Sequence, residues 1–556
     1  MKAFFIKVVC LLFFTGAFLP LSFAQGRVPD NLKQVKNVIM MIPDGTSTSV
    51  LSLARWYQSY NSSDLIWLTT DELVTGLVKT HSSDAPIGDS APTGSTYATG
   101  VVSQAGYVAT YPEKTDNDIV LVDAALANTP AMTILEVAKL KGKAVGLAVT
   151  CDFAHATPAD FSSHTPDRSR RDVIASQMVH NHIDVVFAGG TDYLNADHRK
   201  YLAQNGWDTI FYDYNRFKNY TGDKVWALFA PSDIPYDFDR DPSTTPSLSE
   251  MTRKAIELLS KNENGFFLMV EGSKIDFAAH GNDPIGIISE YLAFDKAVKE
   301  ALDFARRDGQ TAIVICPDHG NSAVSIGNKV STSGYNKLSK RELFEPLMGC
   351  KLTAAGLTEK LAGNAFDENF LRKQFKDHMN IELTQPEVQT FKSPITRNSK
   401  SLISNAIVNV INARTFIGFT TGGHTGEDVF LATYHPQGQT LSGTILNTDI
   451  NRYMCQLLGI GNLADSTKKY FVGHKQLFSG NGYTASWNSE EAEPTLTVAN
   501  VKTKKVLKVK AFENQVFIGK NSKDKKMQRV QLNTVVVYVA KNGEFYLPVD
   551  LKALLD

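Results

Sequence analysis

Asp44, Asp276, His280, Asp318, His319 and His424 are carboxylates and imidazoles, the side chains that hold zinc, and most of them follow short apolar runs. Val38–Ile42 runs into Pro43-Asp44-Gly45. Ala144–Val149 leads to Cys151-Asp152-Phe153-Ala154-His155-Ala156-Thr157-Pro158. Phe266–Val270 leads to Glu271, with Asp276 and His280 just beyond, and Ala312–Cys316 leads to Pro317-Asp318-His319-Gly320. Asp276 and His280 are four apart, which puts both on one helix face. His424 stands in the loop Gly422-Gly423-His424-Thr425-Gly426. Singly, each has a plainer reading: Asp44 as a turn or cap residue, Asp276 and His280 as an exposed pair. Jointly, four strand ends carrying such groups point to a metal centre, because ligand sites in open α/β sheets gather outside the carboxyl ends of the strands.

The nucleophile candidate is Ser90, in Gly88-Asp89-Ser90-Ala91-Pro92-Thr93-Gly94. Pro92 suits the first turn of a helix, and a helix N-terminus offers amide donors and a favourable dipole to an anion such as phosphate. Asp89 or Ser90 could equally be only the cap of that helix. A serine hydroxyl needs activation, and the segment is not a Gly-x-Ser-x-Gly elbow, so the expected route is metal coordination.

Taken in order, these segments resemble the alkaline phosphatase family. The resemblance rests on the Asp44-Gly45 strand end, Asp89-Ser90-Ala91, His155-Ala156-Thr157-Pro158, Glu271-Gly272-Ser273-Lys274-Ile275-Asp276 with His280, Asp318-His319 and Gly423-His424-Thr425, spanning roughly residues 35 to 435. It implies a phosphate monoesterase with a phosphoserine intermediate, two zinc ions and one magnesium ion. By the same resemblance Asp276, His280 and His424 hold the first zinc, and Asp44, Asp318 and His319 the second, next to Ser90. Asp44, His155, Thr157 and Glu271 form the third, magnesium-type site. Arg168, in His164-Thr165-Pro166-Asp167-Arg168, falls where the family keeps its phosphate-clamping arginine. Two positions depart from the bacterial enteric pattern: His155 replaces an aspartate, which should weaken magnesium, and Phe277 replaces a lysine that contacts phosphate through water. Alternatives are a phosphodiesterase or sulfatase of the same superfamily, or a non-catalytic phosphate or metal binder. Against a sulfatase, Gly94 stands where that motif needs arginine.

The elements that must position these groups read as an α/β fold: a mostly parallel central sheet flanked by helices on both faces. A helix is expected over Ser247–Leu259 with Ser247 as its cap, and another through Ile288, Tyr291, Phe294, Val298, Leu302 and Ala305, stopped by Gly309. Residues 332–416 read as a helical insertion that covers the site entrance or builds a subunit interface, as in a homodimer. The catalytic domain is expected over 25–480 and a small β-rich domain over 481–556, with strands at Thr495–Val498, Val506–Val509, Val516–Ile518 and Val535–Val539. Residues 1–24 have the basic, apolar, small-residue order of a signal peptide, so an exported, periplasmic or extracellular protein is expected. No later stretch is long and apolar enough to span a bilayer. With 57 basic and 58 acidic residues, the overall charge suggests no nucleic-acid partner and no membrane-binding patch; the resemblance implies small phosphate monoesters as the partners. Cys151, Cys316, Cys350 and Cys455 are too widely spaced to select a disulfide.

Overall fold

The computed structural model describes residues 28–29, 31–364, 366–488 and 494–556; the expected signal peptide, 1–24, lies outside the described residues. Ten strands form the main sheet: β1 (Asn37–Pro43), β2 (Val74–Lys79), β3 (Ala144–Asp152), β4 (Val185–Gly189), β5 (Asp208–Phe211), β6 (Val225–Leu228), β7 (Phe266–Gly272), β8 (Thr311–Ile315), β9 (Val429–Tyr434) and β10 (Gly443–Leu446). Their spatial order is β10-β2-β9-β8-β1-β7-β3-β4-β6-β5. Every residue of β1, β3, β7 and β8 is buried, as continuous apolar runs covered on both faces must be. Along β1 the side chains alternate between two cores: Ile39 and Met41 join one, Val38, Met40 and Ile42 the other.

Pairing is parallel except at β9, which runs antiparallel to both β2 and β8. The reversal has a positional consequence. Ala432 of β9 pairs with Ile315, the last residue of β8, so β9 begins at the edge where its neighbours end. His424, just ahead of β9, therefore reaches the same edge as Asp44, Glu271 and Asp318.

The helices used below are α1 (Ser90–Thr99), α2 (Ala156–Asp160), α3 (Arg171–His180), α4 (Leu248–Leu259), α5 (Lys274–His280) and α6 (Pro284–Asp308). The expected cap of α4 is present: Ser247 and Glu250 make a reciprocal capping box. Between 332 and 416 the regular elements among the described residues are helices, from Tyr335–Lys337 to Lys400–Asn412. Phe344, Leu357, Leu371, Phe375 and Ile407 of this insertion share one core with the sheet. Two carboxylates fasten it, Asp239 partly buried and Asp283 buried. Asp239 accepts from Thr353 N (2.8 Å) and Thr353 Oγ1 (2.6 Å). Asp283 accepts from Ile285 N (3.0 Å) at the start of α6 and from Ala354 N (2.8 Å) in the insertion, so one side chain caps two helices.

The C-terminal part adds a five-stranded antiparallel meander: β11 (Tyr483–Asn488), β12 (Thr495–Asn500), β13 (Val506–Lys510), β14 (Gln515–Gly519) and β15 (Gln528–Gln531). The run read as Val535–Val539 does not extend this meander: Val537–Val539 pairs with Glu544–Leu547, which also pairs with Val472–Gly473. The four cysteines are buried free thiols. No helix among the described residues is long and apolar enough to cross a membrane.

Candidate active site

The carboxyl ends of β1, β7, β3 and β8 lie side by side, with Ile42 and Val149 both in register with Glu271. Onto this edge the chain brings four overlapping groups of side chains. In each, the potential ligand atoms lie within 4.8 Å of one another: Asp276, His280 and His424; Asp44, Asp318 and His319; Cys151, His155 and Glu271; and Asp89, His319 and His424. The first two match the sequence-derived sets residue for residue. The third adds Cys151, whose thiol donates to Glu271 Oε2 at 3.5 Å. Thr157, at the start of α2, is fully buried, and its hydroxyl makes no hydrogen bond.

The three imidazoles share one arrangement. Nδ1 of His280, His424 and His319 faces the backbone oxygens of Gly422 (2.9 Å), Gly88 (3.0 Å) and Gly320 (3.2 Å). A carbonyl only accepts, so each Nδ1 carries a proton and Nε2 is the ring atom left to face a metal. The Nε2 atoms of His280 and His424 stand 3.1 Å apart, and the rings of His319 and His424 stack at 3.7 Å. Two lone pairs aimed at each other fit a cation between them.

The carboxylates point the same way. Asp44 is wholly buried with neither oxygen hydrogen-bonded; Asp318 Oδ2, Glu271 Oε1 and His319 Nε2 are likewise buried without a hydrogen-bond partner. Orphaned polar atoms of this kind are costly unless something compensates them. Burial, reinforced by Asp318, Asp276 and Glu271, pushes the Asp44 carboxyl well above its usual range, and burial with Asp318 lifts Glu271 to about 8. Burial, with Arg171 and Arg168 nearby, holds the His155 imidazole neutral. The donor set fits two zinc ions and one harder cation.

Ser90 is the first residue of α1 and 2 % exposed; Asp89 caps it, accepting from Ser90 N at 2.9 Å. Asp89 also receives both hydrogen bonds of Arg168 Nη1, at 2.6 and 2.7 Å. Although burial opposes it, this pairing lowers the Asp89 carboxyl. Ser90 and Arg168 thus meet through one carboxylate that the sequence offered only as a cap. Two other supports were missed. Asn321 Nδ2 holds Asp276 Oδ1 at 2.7 Å, and Glu427 accepts from Ser47 and Thr425, each at 2.7 Å. Neither polar residue stands in a pattern that announces it.

A pH dependence follows for the metal-free protein. Raised carboxyls such as Asp44 and Glu271 support folding while protonated, below their unfolded values near about 4, and that support is lost as pH rises through the folded values. For Glu271 the window extends to about 8. The melting temperature of chelator-treated protein should fall from pH 5 to pH 8, and divalent cations should remove most of that fall; a flat profile without metal would contradict it.

A family model described as alkaline phosphatase matches residues 35–460. Alkaline phosphatase 3 of Bacillus subtilis is 35% identical over 452 residues, covering 79% of this chain and 92% of that protein. The cold-active alkaline phosphatase of a psychrophilic Shewanella sp. superposes with a TM-score of 0.67 at 28% identity, covering 76% and 99% of the two chains. A histidine-to-aspartate variant of the TAB5 alkaline phosphatase, described with Mg bound in its M3 site, has a TM-score of 0.52 at 22% identity and covers 77% and 99%.

Proposed function

The chain belongs to the alkaline phosphatase family and is a phosphoric monoester hydrolase; from that premise, we propose that it works through Ser90 and Arg168 beside two zinc ions and one magnesium ion. Asp276, His280 and His424 would hold one zinc and Asp44, Asp318 and His319 the other; His155, Thr157 and Glu271, with Asp44, would hold magnesium. The carrying observation is the row of buried, unpartnered atoms on Asp44, Asp318, His319, Glu271 and Thr157, all facing one sheet edge.

When bound, the zinc pair would lower the pKa of the serine hydroxyl and neutralise charge on the leaving oxygen. Ser90 Oγ attacks phosphorus in line, the bond to the leaving oxygen breaks, and the phosphate is carried on Ser90. Water then cleaves the phosphoserine and frees inorganic phosphate. The N-terminus of α1 supplies amide donors to the phosphoryl oxygens. Arg168, steadied by Asp89, offers its fork to two of them while charge shifts during transfer. Phe277, packed against the His155 ring at 5.6 Å, gives phosphate no polar contact, which favours product release.

Hydrolysis of a chromogenic phosphate monoester, compared with a diester and a sulfate ester, with and without chelator, tests the proposal. Metal-dependent preference for the monoester supports it, and dominance of either other ester refutes the substrate assignment. Export is part of the same proposal, on the strength of Lys2, Lys7 and the apolar run Val8–Phe23. N-terminal sequencing of secreted protein should begin near Gln25.

His155 sets the expected behaviour of the third site. A neutral imidazole is a weaker partner for a hard cation than a carboxylate. His155→Asp should therefore tighten magnesium by about 10-fold, as judged by magnesium titration of activity and metal content. The magnesium described in the TAB5 variant is in line with this. Unchanged magnesium affinity would speak against His155 as a third-site residue.

A further inference from the structure

We propose that the C-terminal β domain, which lies beyond the family match at 35–460, is a positioning device for Arg168, holding its loop from both sides. The inference rests on reading Arg168 as the phosphate clamp.

The Arg168 loop runs from His164 to Arg170 and is fixed at either end. On the near side, Thr165 pairs with Val108 in an isolated bridge (2.9 and 3.0 Å), and Arg168 N donates to Gly106 O at 2.8 Å. The segment 106–109 is thus the template on which the arginine's backbone sits. It is also tied to the nucleophile helix: Ser95 Oγ of α1 donates to Tyr107 O (3.2 Å) and accepts from Ala109 N (2.7 Å). Ala109 holds a positive φ of +38°, a strained conformation for alanine, so this template needs outside support to keep its shape.

That support comes from the C-terminal domain. Lys541 Nζ donates to Tyr107 Oη at 2.8 Å and to Glu113 Oε2 at 2.9 Å, while Asn542 Nδ2 donates to Ala127 O at 3.0 Å. Tyr107 is 5 % exposed and also bonds Asn128 Oδ1 at 2.8 Å. Its hydroxyl is therefore held between the catalytic domain and the tail.

The far side of the loop is α3, and it too rests on the tail. Val173 belongs to the tail's own core, with Leu496, Val498, Leu507 and Val509. Buried Asn514 donates to His180 O at the end of α3, lies 2.8 Å from His182 Nε2, and accepts from Tyr201 Oη at 2.9 Å. A cavity of about 290 Å³ separates Thr165, Asp167 and Arg170 from Phe512, Tyr538 and Lys541. The loop thus meets the tail at two footings, with open space between them. Loosening a footing would shift the guanidinium rather than unfold the sheet.

Misplacing a clamping group by about an ångström weakens binding of the group it clamps. Lys541→Met and Tyr107→Phe should raise both KM for a chromogenic monoester and the inhibition constant for inorganic phosphate by about 3- to 10-fold, with kcat changed less than about twofold. Lys541→Arg should restore both constants, and melting temperature and zinc content should stay at wild-type values. Asn514→Ala probes the second footing by the same constants. Arg168→Ala is the reference. If it raises the phosphate constant while the Lys541, Tyr107 and Asn514 variants leave theirs unchanged, the tail does not position the arginine. If Arg168→Ala leaves the phosphate constant unchanged, the clamp reading fails and takes this inference with it. Kinetic loss that tracks a fall in melting temperature and is not rescued by Lys541→Arg also overturns it.

Discussion

Ser90→Ala should lower kcat for phosphate monoesters by on the order of 10³-fold or more, while metal binding and fold stay intact. The change removes one oxygen from a side chain that is 2 % exposed, leaving no large void. It does not uncap α1, because the cap is Asp89, whose carboxylate meets Ser90 through the backbone N–H that alanine retains. Asp276, His280, His424, Asp44, Asp318 and His319 are untouched, so zinc should still raise the melting temperature as in wild type. Acid-quenched turnover mixtures should show phosphate covalently attached to wild type and none on the variant. Slow residual hydrolysis by water attacking directly is compatible with this. A variant that turns over at wild-type rate would remove Ser90 from the mechanism.

Gly45→Ala should be nearly as damaging without replacing any proposed ligand. Gly45 has φ +58°, a conformation costing an alanine about 1–2 kcal/mol. An added Cβ would also lie 2.2 Å from Asp276 Oδ1 and 2.7 Å from its Cβ, so the carboxylate of the first group must move. Gly45 N, moreover, donates to Asp318 Oδ1 at 3.0 Å, so a twist of this peptide reaches the second group as well. We expect a loss of about 100-fold in kcat/KM, partly recovered at high zinc, with weaker zinc binding measured on the stripped protein. Gly423→Ala is the control. It lies beside His424, but its added Cβ would meet nothing nearer than Thr421 Oγ1 at 3.8 Å, and it should retain most activity.

The strand ends were legible because buried parallel strands are apolar throughout. A carboxylate directly after such a run is conspicuous, as at Pro43-Asp44 and Pro317-Asp318. The outermost pair at one side of the sheet was not. β2 and the edge strand β10 each bury only one residue, carry Gly76 and Gly443 at their contact, and show neither a continuous nor an alternating apolar pattern. The reversal of β9 was equally hidden, since local sequence does not encode strand direction. In the site, residue types disclosed the ligands, but the supports depend on contacts across long separations. Asp89 meets Arg168 across 79 residues and Asn321 meets Asp276 across 45. The even overall charge also concealed a local one: residues 494–556 hold twelve basic and five acidic side chains, against 45 and 53 in the rest of the chain. Averaging over the whole length erased that difference.

The double cap at Asp283 bears on how this protein can change by gain or loss of segments. A loop that merely decorates a surface can be cut away, and the scaffold closes over the gap. Here, removing the segment around Thr353 and Ala354 would strip donors from Asp239 and Asp283, both of which burial pushes toward the neutral form, Asp283 to about 6. It would also uncover the apolar side chains that the insertion shares with the sheet. Shortening would therefore have to be accompanied by exchange of both aspartates and of the facing core. The segment behaves as a keystone rather than a cassette, and wholesale swaps between relatives should fail unless those partners travel with it.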